Sequence, residues 1–457
     1  MSAPTRVLVV GADAAGMSAA HQALRTARAG GRELAVTVLD RGHHTSYSAC
    51  GIPYWMAGDV GSGDDLVARS AEEHRESGID LRLGVEATSA DLGARTVTTS
   101  DGEVLAFDEL VVATGAPAVV PDWAIAPGGE AYDGVGVVKT LDDGAAWVQR
   151  FAAAEDGAHV VVVGAGYVGV EVAEAALQQG FGVTVLTRTR GMGMLEDEMS
   201  DLVNTGLVEA GVELVLGAEV TGLEVDEGRV TGVRWDGGQR DADLVVVAVG
   251  VRPATGFLAG TGLPLTEGGA LRPDAHGRVA DHVWAAGDCC EVRRRIDDAW
   301  VFRPLGTHAA KHGRALGDSL AGGSLAFPGM VDTSITRFAH GEVHLEIART
   351  GLSRADAEGA GLDVLALVTE GSTATGYMPE AEPISIWVMA ERGSRRLLGV
   401  QVVGGRGAGK RIDTAAAVLW AGGSVDDLAW MDLAYAPPFA TTWEVLQIAA
   451  RRVAERL

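Results

Sequence analysis

Apolar and polar positions alternate along this chain with two different periods. From Arg6 to Val10 the run is short and almost wholly apolar, which predicts a buried parallel strand. Ala14 to about Ala29 predicts a helix, and Leu34 to Asp40 the next strand, so the three make a βαβ unit. The same order recurs over 159–188: His159 to Val163, a turn, a helix from Val168 to about Gln179, then Val183 to Thr187. Leu110 to Ala113 and Leu244 to Val249 predict two more buried strands, each running into a glycine. After about residue 327 the texture changes. Strand-like runs at Asp363 to Thr369, Ile384 to Met389 and Leu397 to Val403 precede helical stretches near 410–422 and 441–455.

These patterns predict an α/β protein of two similar nucleotide folds followed by an α+β domain. The segment 123–158, with Pro127-Gly128-Gly129, and the run Gly250-Val251-Arg252-Pro253 read as crossings between domains. The expected division is 1–122 for the first part of the first fold, 123–253 for the second fold, 254–326 for the return of the first, and 327–457 for the last domain. A length of 457 residues, 47% of them hydrophobic and 63 of them glycine, suits such a chain. The net charge of −25 would repel a phosphate backbone, which excludes nucleic acid as a partner. Lysine stands only at 139, 311 and 410; every other basic residue is arginine. The cysteines are Cys50, Cys289 and Cys290, too few for a disulfide framework, which fits a reducing cytoplasm. The first apolar run is interrupted by Asp13 and lacks a basic leader, so it reads as strand and turn rather than signal peptide, and no membrane span is expected.

The first turn is Gly11-Ala12-Asp13-Ala14-Ala15-Gly16. Its first glycine permits the sharp turn, its last lets helix and strand pack closely, and the helix N-terminus then faces a pyrophosphate. Asp13 replaces the usual middle glycine. Asp40 ends the next strand, where a carboxylate holds a ribose hydroxyl pair. The second turn, Gly164-Ala165-Gly166-Tyr167-Val168-Gly169, is complete, and its following strand ends in Thr187-Arg188-Thr189-Arg190 with no acid. Arginines there would pair with a 2′-phosphate, which favours NADPH over NADH; the alternative is that both are merely solvated. Cys50 has no second cysteine within a few residues, so a dithiol relay is absent. A lone cysteine is most often a small buried hydrophobe, but beside an electron-poor ring its thiolate would be stabilised. The adjacent Cys289 and Cys290 read as structural.

Together these residues resemble the pyridine nucleotide-disulfide oxidoreductases, and within them the single-cysteine branch of coenzyme A disulfide reductases and NAD(P)H oxidases. The resemblance runs from about residue 5 to 450. It is carried by both glycine turns, Val111-Val112-Ala113-Thr114-Gly115, Ala285-Ala286-Gly287-Asp288, Cys50-Gly51-Ile52-Pro53-Tyr54, Tyr377-Met378-Pro379 and Tyr435-Ala436-Pro437-Pro438-Phe439. It implies two Rossmann-like dinucleotide-binding domains, one for FAD and one for NAD(P)H, with an α+β C-terminal dimerisation domain. FAD would lie against Gly11, Ala12, Gly16, Asp40, Arg41, Val85, Thr114, Gly115, Gly287 and Asp288. NADPH would lie against Gly164, Gly166, Tyr167, Val168, Gly169, Glu171, Arg188, Arg190 and Gly250, with Tyr167 gating the nicotinamide and Glu171 positioning it. NADH is the alternative dinucleotide.

The resemblance further implies that Cys50 forms a mixed disulfide with a small thiol carrier of coenzyme A type. Tyr377 and Tyr435 would reach the partner subunit's site in a homodimer and donate to the leaving thiolate. Ser18, Gln22 and Arg25, on one face of the first helix, with Ser46 and His308, are the implied substrate contacts; a solvated helix face is the alternative. Two positions depart from the reductase pattern: Ala49 stands where an asparagine can precede the cysteine, and Trp443 where a lysine can contact coenzyme A. Relatives that reduce oxygen or peroxide carry a histidine in the first turn, which Asp13-Ala14-Ala15 lacks. The competing readings are an NAD(P)H oxidase or peroxidase cycling Cys50 through sulfenic acid, a persulfide or polysulfide reductase, an electron-transfer flavoprotein reductase serving a protein partner, and a flavin-binding sensor.

Overall fold

The computed structural model describes residues 3–457. Strand β1 (Thr5–Val10), helix α1 (Ala14–Ala29) and strand β2 (Leu34–Asp40) form the first βαβ unit. They belong to a six-stranded sheet in which Arg278–Ala280, Val283–Ala285, Glu109–Val112, β1, β2 and β3 (Ile79–Leu83) lie side by side. All neighbours are parallel except the first pair. The chain therefore leaves this fold and returns to it. Between β2 and β3 run two short helices, α2 (Ile52–Ala57) and α3 (Ala71–Glu76).

The segment expected to be a plain crossing contains helix α4 (Leu141–Ala153) and the edge strand Val135–Gly136. Thr140 and Asp143 close a capping box on α4, a local signal of helix start that apolar periodicity overlooks. The second nucleotide fold is a five-stranded parallel sheet, ordered Glu213–Leu216, Gly182–Thr187, His159–Val163, Leu244–Val247, Val135–Gly136. Helix α5 (Tyr167–Gln178) follows its glycine turn, and α6 (Asp197–Glu209) follows the next strand. The strand expected to reach Val249 stops at Val247, short of the turn at Gly250.

The last domain is a five-stranded antiparallel sheet. Two of its strands, Ser334–His340 and Val343–Gly351, were not legible as apolar runs. The final helix starts at Val445, not 441, because the Glu444 carboxylate accepts from the Leu446 N–H and fixes the first turn there. One continuous core joins the second fold to the last domain, with Trp147, Met199 and Trp387 fully buried in it. The first fold keeps separate cores on its two faces.

Helix α7 (Gly306–Leu320) packs along α1. A Cβ on Gly313 would stand 2.1 Å from the Ala15 carbonyl oxygen, and one on Gly317 2.2 Å from that of Ala19. The two helices touch backbone to backbone because neither glycine has a side chain. No helix among the described residues is long and apolar enough to cross a membrane.

Candidate active site

Both glycine turns are built alike. Gly11 has φ +113°, and a Cβ there would lie 2.1 Å from the Ala113 carbonyl oxygen; Gly164 has φ +106° and meets that of Ala248 at 2.3 Å. Gly16 and Gly169 each sit so close beneath the first glycine's carbonyl that a Cβ would approach it to 1.9 Å. The helices thus start hard against their strands, with the N-terminal N–H groups free to meet an anion. Around Gly166 the space is open, which leaves the backbone accessible to a pyrophosphate.

Beside the first turn lies a cavity of about 270 Å³, lined by Gly11, Asp40, Arg41, Val85, Thr114 and Phe257 among others. The Asp40 carboxylate accepts from the Ala12 and Gly42 N–H groups, both at 2.7 Å, which fixes it at the strand end. Val85 donates its N–H to the Asp40 carbonyl at 2.9 Å. Arg41 is exposed and lies 3.8 Å from Glu86. Gly115 and Gly287 both take positive φ, and a side chain on Gly287 would strike Ala15. The Thr114 hydroxyl is buried with no oxygen or nitrogen partner among the described residues; the Cys289 thiol, a weak partner, lies beside it. An orphaned hydroxyl facing a dinucleotide-sized set of turns is what an FAD site requires. The residues fit that cofactor.

Asp13 and Asp288 bring negative charge to the same place. Burial pushes Asp13 up to about 6. Asp288 is raised by burial and opposed by Lys139, whose Nζ lies 3.8 Å from its carboxylate. Lys139 had no role in the sequence reading, although a lysine in a chain that otherwise uses arginine was the available signal.

Cys50 sits in a one-turn 3-10 helix, Ala49–Gly51, that leads into α2. The loop before it is pinned to the first turn: the Thr45 hydroxyl donates to the Ala12 carbonyl at 2.5 Å and the Ser46 N–H to the same oxygen at 3.4 Å. Cys50 is exposed, whereas Cys289 and Cys290 are buried. Burial of its surroundings raises the Cys50 thiol above its ordinary value, Glu171 adds to this, and Lys139 opposes it. The protein alone therefore does not favour the thiolate.

Helix α5 packs on α2, which brings the second turn's helix beside the cysteine. Glu171 on α5 is pushed up to about 7 by burial, and the Thr336 hydroxyl donates to it at 2.6 Å. The Tyr167 hydroxyl is bonded to that of Ser334, and Val168 is exposed. Arg188 is exposed and makes no ion pair among the described residues, whereas Arg190 is bound by Asp197 and Asp201. Arg337 joins all three folds: it pairs with Asp59 at 3.0 Å and Glu174 at 2.7 Å, and its guanidinium lies over the Tyr54 ring.

The implied substrate residues divide. Ser18 is half-buried and Arg25 exposed. Gln22 is buried in the α1–α7 seam, donating to Thr26 at 3.1 Å and accepting from Arg25 at 3.4 Å, so it supports Arg25 from beneath. His308 is buried near the start of α7, with Nδ1 3.5 Å from the Arg303 carbonyl oxygen. Ser46 is half-exposed and bonded to His74 at 2.9 Å. Tyr377 and Tyr435 are 72% and 48% exposed on the last domain, and no hydrogen bond links either to the Cys50 loop. Their two loops are stitched together by the Thr375 N–H donating to the Pro437 carbonyl at 2.9 Å.

Residues 5–309 match the pyridine nucleotide-disulphide oxidoreductase family, and residues 342–446 its dimerisation domain. The chain is 35% identical over 455 residues to an NAD(P)H coenzyme A polysulfide/persulfide reductase of Pyrococcus horikoshii, covering 98% of each. It is 28% identical over 461 residues to an NADH oxidase of Methanocaldococcus jannaschii, covering 99% of each. The structure of an NAD-dependent persulfide reductase from A. fulgidus superimposes with a TM-score of 0.90 at 30% identity, over 99% of this chain and 83% of that one. With both glycine turns, the FAD cavity and both domain matches in agreement, the chain belongs to the pyridine nucleotide-disulphide oxidoreductases and is an enzyme that works with FAD and NAD(P)H.

Proposed function

We propose that this enzyme reduces a low-molecular-weight disulfide or persulfide of coenzyme A type, with NADPH as preferred hydride source and Cys50 as the one redox-active protein sulfur. The observation that carries the proposal is the division of the cysteines. Cys50 is exposed at the start of a short helix, while Cys289 and Cys290 are sealed in the core with their sulfurs 3.7 Å apart. No second cysteine is exposed to meet Cys50, so its partner in a disulfide comes from the substrate. The Cys50 thiolate attacks the substrate disulfide, a mixed disulfide forms, and one thiolate leaves. Two electrons then break the mixed disulfide, free the second thiolate and restore Cys50. FAD, when bound, supplies the relay of those electrons from the nicotinamide.

The chain's own groups carry the rest. Arg188 meets the 2′-phosphate, Glu171 and Tyr167 stand at the nicotinamide, and Lys139 is the cation that offsets the acids around Cys50. Arg25, held by Gln22, offers a charge to a phosphate-bearing tail. In a homodimer the exposed Tyr377 and Tyr435 serve the other subunit's sulfur site as proton donors. The names of the P. horikoshii and A. fulgidus proteins support the sulfur substrate.

The name of the M. jannaschii relative supports a second reading, an oxidase with Cys50 as sulfenic acid. Mass spectrometry of the purified enzyme separates the two. An adduct of coenzyme A mass on Cys50 is the expected result; sulfenic acid on Cys50 would favour the oxidase.

A further inference from the structure

A chain of polar side chains runs from helix α1 to Ser46 in the Cys50 loop. His21 Nε2, on α1, lies 2.8 Å from His74 Nδ1, on α3. His74 Nε2 lies 2.9 Å from the Ser46 hydroxyl. Arg69 Nη1 lies 3.1 Å from His21 Nε2. His74 is 1% exposed, and Ser46 is held at φ +49°, a left-handed conformation uncommon for serine.

The geometry admits one assignment of protons. Arginine only donates, so His21 Nε2 accepts and carries no hydrogen. His74 Nδ1 faces that same lone pair and must be the protonated nitrogen of its ring. A neutral His74 then has a bare Nε2, which accepts from Ser46. Charging His74 would place a second cation against Arg69 and His21, with Glu73 the one acid acting on it; burial and those neighbours hold it down to about 4. His21 is lowered in the same way, by burial and then by Arg69 and Arg25. His74 is thus a fixed acceptor at neutral pH rather than a base. The Ser46 proton points into the protein, and only oxygen lone pairs remain for whatever comes to the half-exposed side.

We infer that His74, oriented by His21 and Arg69, is a positioning residue that makes Ser46 a pure hydrogen-bond acceptor, so that the site selects sulfur compounds bearing an N–H donor a few bonds from the sulfur. This rests on the disulfide-reductase reading above and narrows its substrate class to amide-bearing thiol carriers. Inorganic polysulfide and ester- or ether-bearing thiols lack the donor.

The test uses two disulfides that differ in one group: N,N′-diacetylcystamine, which carries an amide N–H, and bis(2-acetoxyethyl) disulfide, its ester analogue. The FAD-loaded wild type should favour the amide in kcat/KM by about three- to tenfold, the worth of one hydrogen bond. His74→Leu and Ser46→Ala should bring that ratio to about one. His74→Gln places an amide oxygen near the former Nε2 and should restore it; His74→Asn places its oxygen too far from Ser46 and should not. A wild type indifferent to the two, or a His74→Leu enzyme that keeps the ratio, would overturn the inference. If neither is reduced while coenzyme A disulfide is, the amide donor is not what the site selects and the inference is overturned with the reductase reading intact; if coenzyme A disulfide is not reduced either, although NADPH still reduces the flavin, the reductase reading itself fails, and this inference with it.

Discussion

The strand end at Arg188 to Arg190 makes a sharp test of cofactor choice, because the two arginines are not equivalent in the structure. Arg188 has no ion-pair partner among the described residues, so its guanidinium is free to meet a 2′-phosphate. A charge-assisted contact of that kind contributes about 1.5–3 kcal/mol, or about ten- to a hundredfold. Arg190 must first leave Asp197 and Asp201. All three side chains are well exposed, so the pairs hold it by no more than about 1 kcal/mol each. Its net gain on meeting a phosphate is therefore about 1 kcal/mol, or roughly fivefold. Arg188→Ala should lose about ten- to a hundredfold in the ratio of kcat/KM for NADPH over NADH. Arg190→Ala should lose only about fivefold. Asp201→Asn, which loosens Arg190, should raise the ratio. The assay is steady-state turnover with each dinucleotide at fixed disulfide concentration. A wild type that uses NADH better, or an Arg190→Ala enzyme more damaged than Arg188→Ala, would refute the reasoning.

Four further outcomes are expected. Cys50→Ser should still take hydride from NADPH in stopped-flow but lose disulfide turnover; full turnover would move the function to the electron-transfer class. Thr114→Val should leave the apoprotein's melting temperature nearly unchanged and weaken FAD in a fluorescence titration, because within the protein the hydroxyl has only the weak Cys289 thiol to lose. Glu171 binds its proton more tightly folded than unfolded, so its contribution is full below pH 4.5 and is lost as pH rises through about 7; Glu171→Gln should flatten the fall in melting temperature across that window. Gly317→Ala should destabilise the apoprotein by about 1–3 kcal/mol in a urea titration, since the new methyl cannot fit against the Ala19 carbonyl.

The two βαβ units were legible because their evidence is local: an apolar run, glycines at fixed offsets, a helix, another run. The strands Ser334–His340 and Val343–Gly351 were not, because Thr336, Arg337, His340, His344 and Glu346 interrupt any continuous apolar run; Val343 to Ile347 alternates with period two, and pairing of the two strands with each other and of the second with Leu397–Gly404 supplies the order. Cys50 stood out by its neighbours in sequence. What surrounds it did not: Lys139 and Glu171 arrive from distant positions in the chain, and the contact of His21 with His74 joins residues 53 apart. The difference between Arg188 and Arg190 was hidden too, since the acids that bind Arg190 lie on the next helix.

The glycine seam between α1 and α7 bears on how the polypeptide comes off the ribosome. Helix α1 closes at Ala29, but the surface it needs begins at Gly306. At about 5–20 residues per second, the intervening chain takes roughly 15–60 s to synthesise. Through that interval the small-residue face of α1 (Ala15, Ala19, Ala23) stays wet, although the second fold can already close on contacts within its own stretch. The N-terminal fold is thus the first begun and among the last finished. A nascent chain stalled before residue 306 should be captured by holdase chaperones through its first thirty residues, whereas one released beyond residue 320 should not.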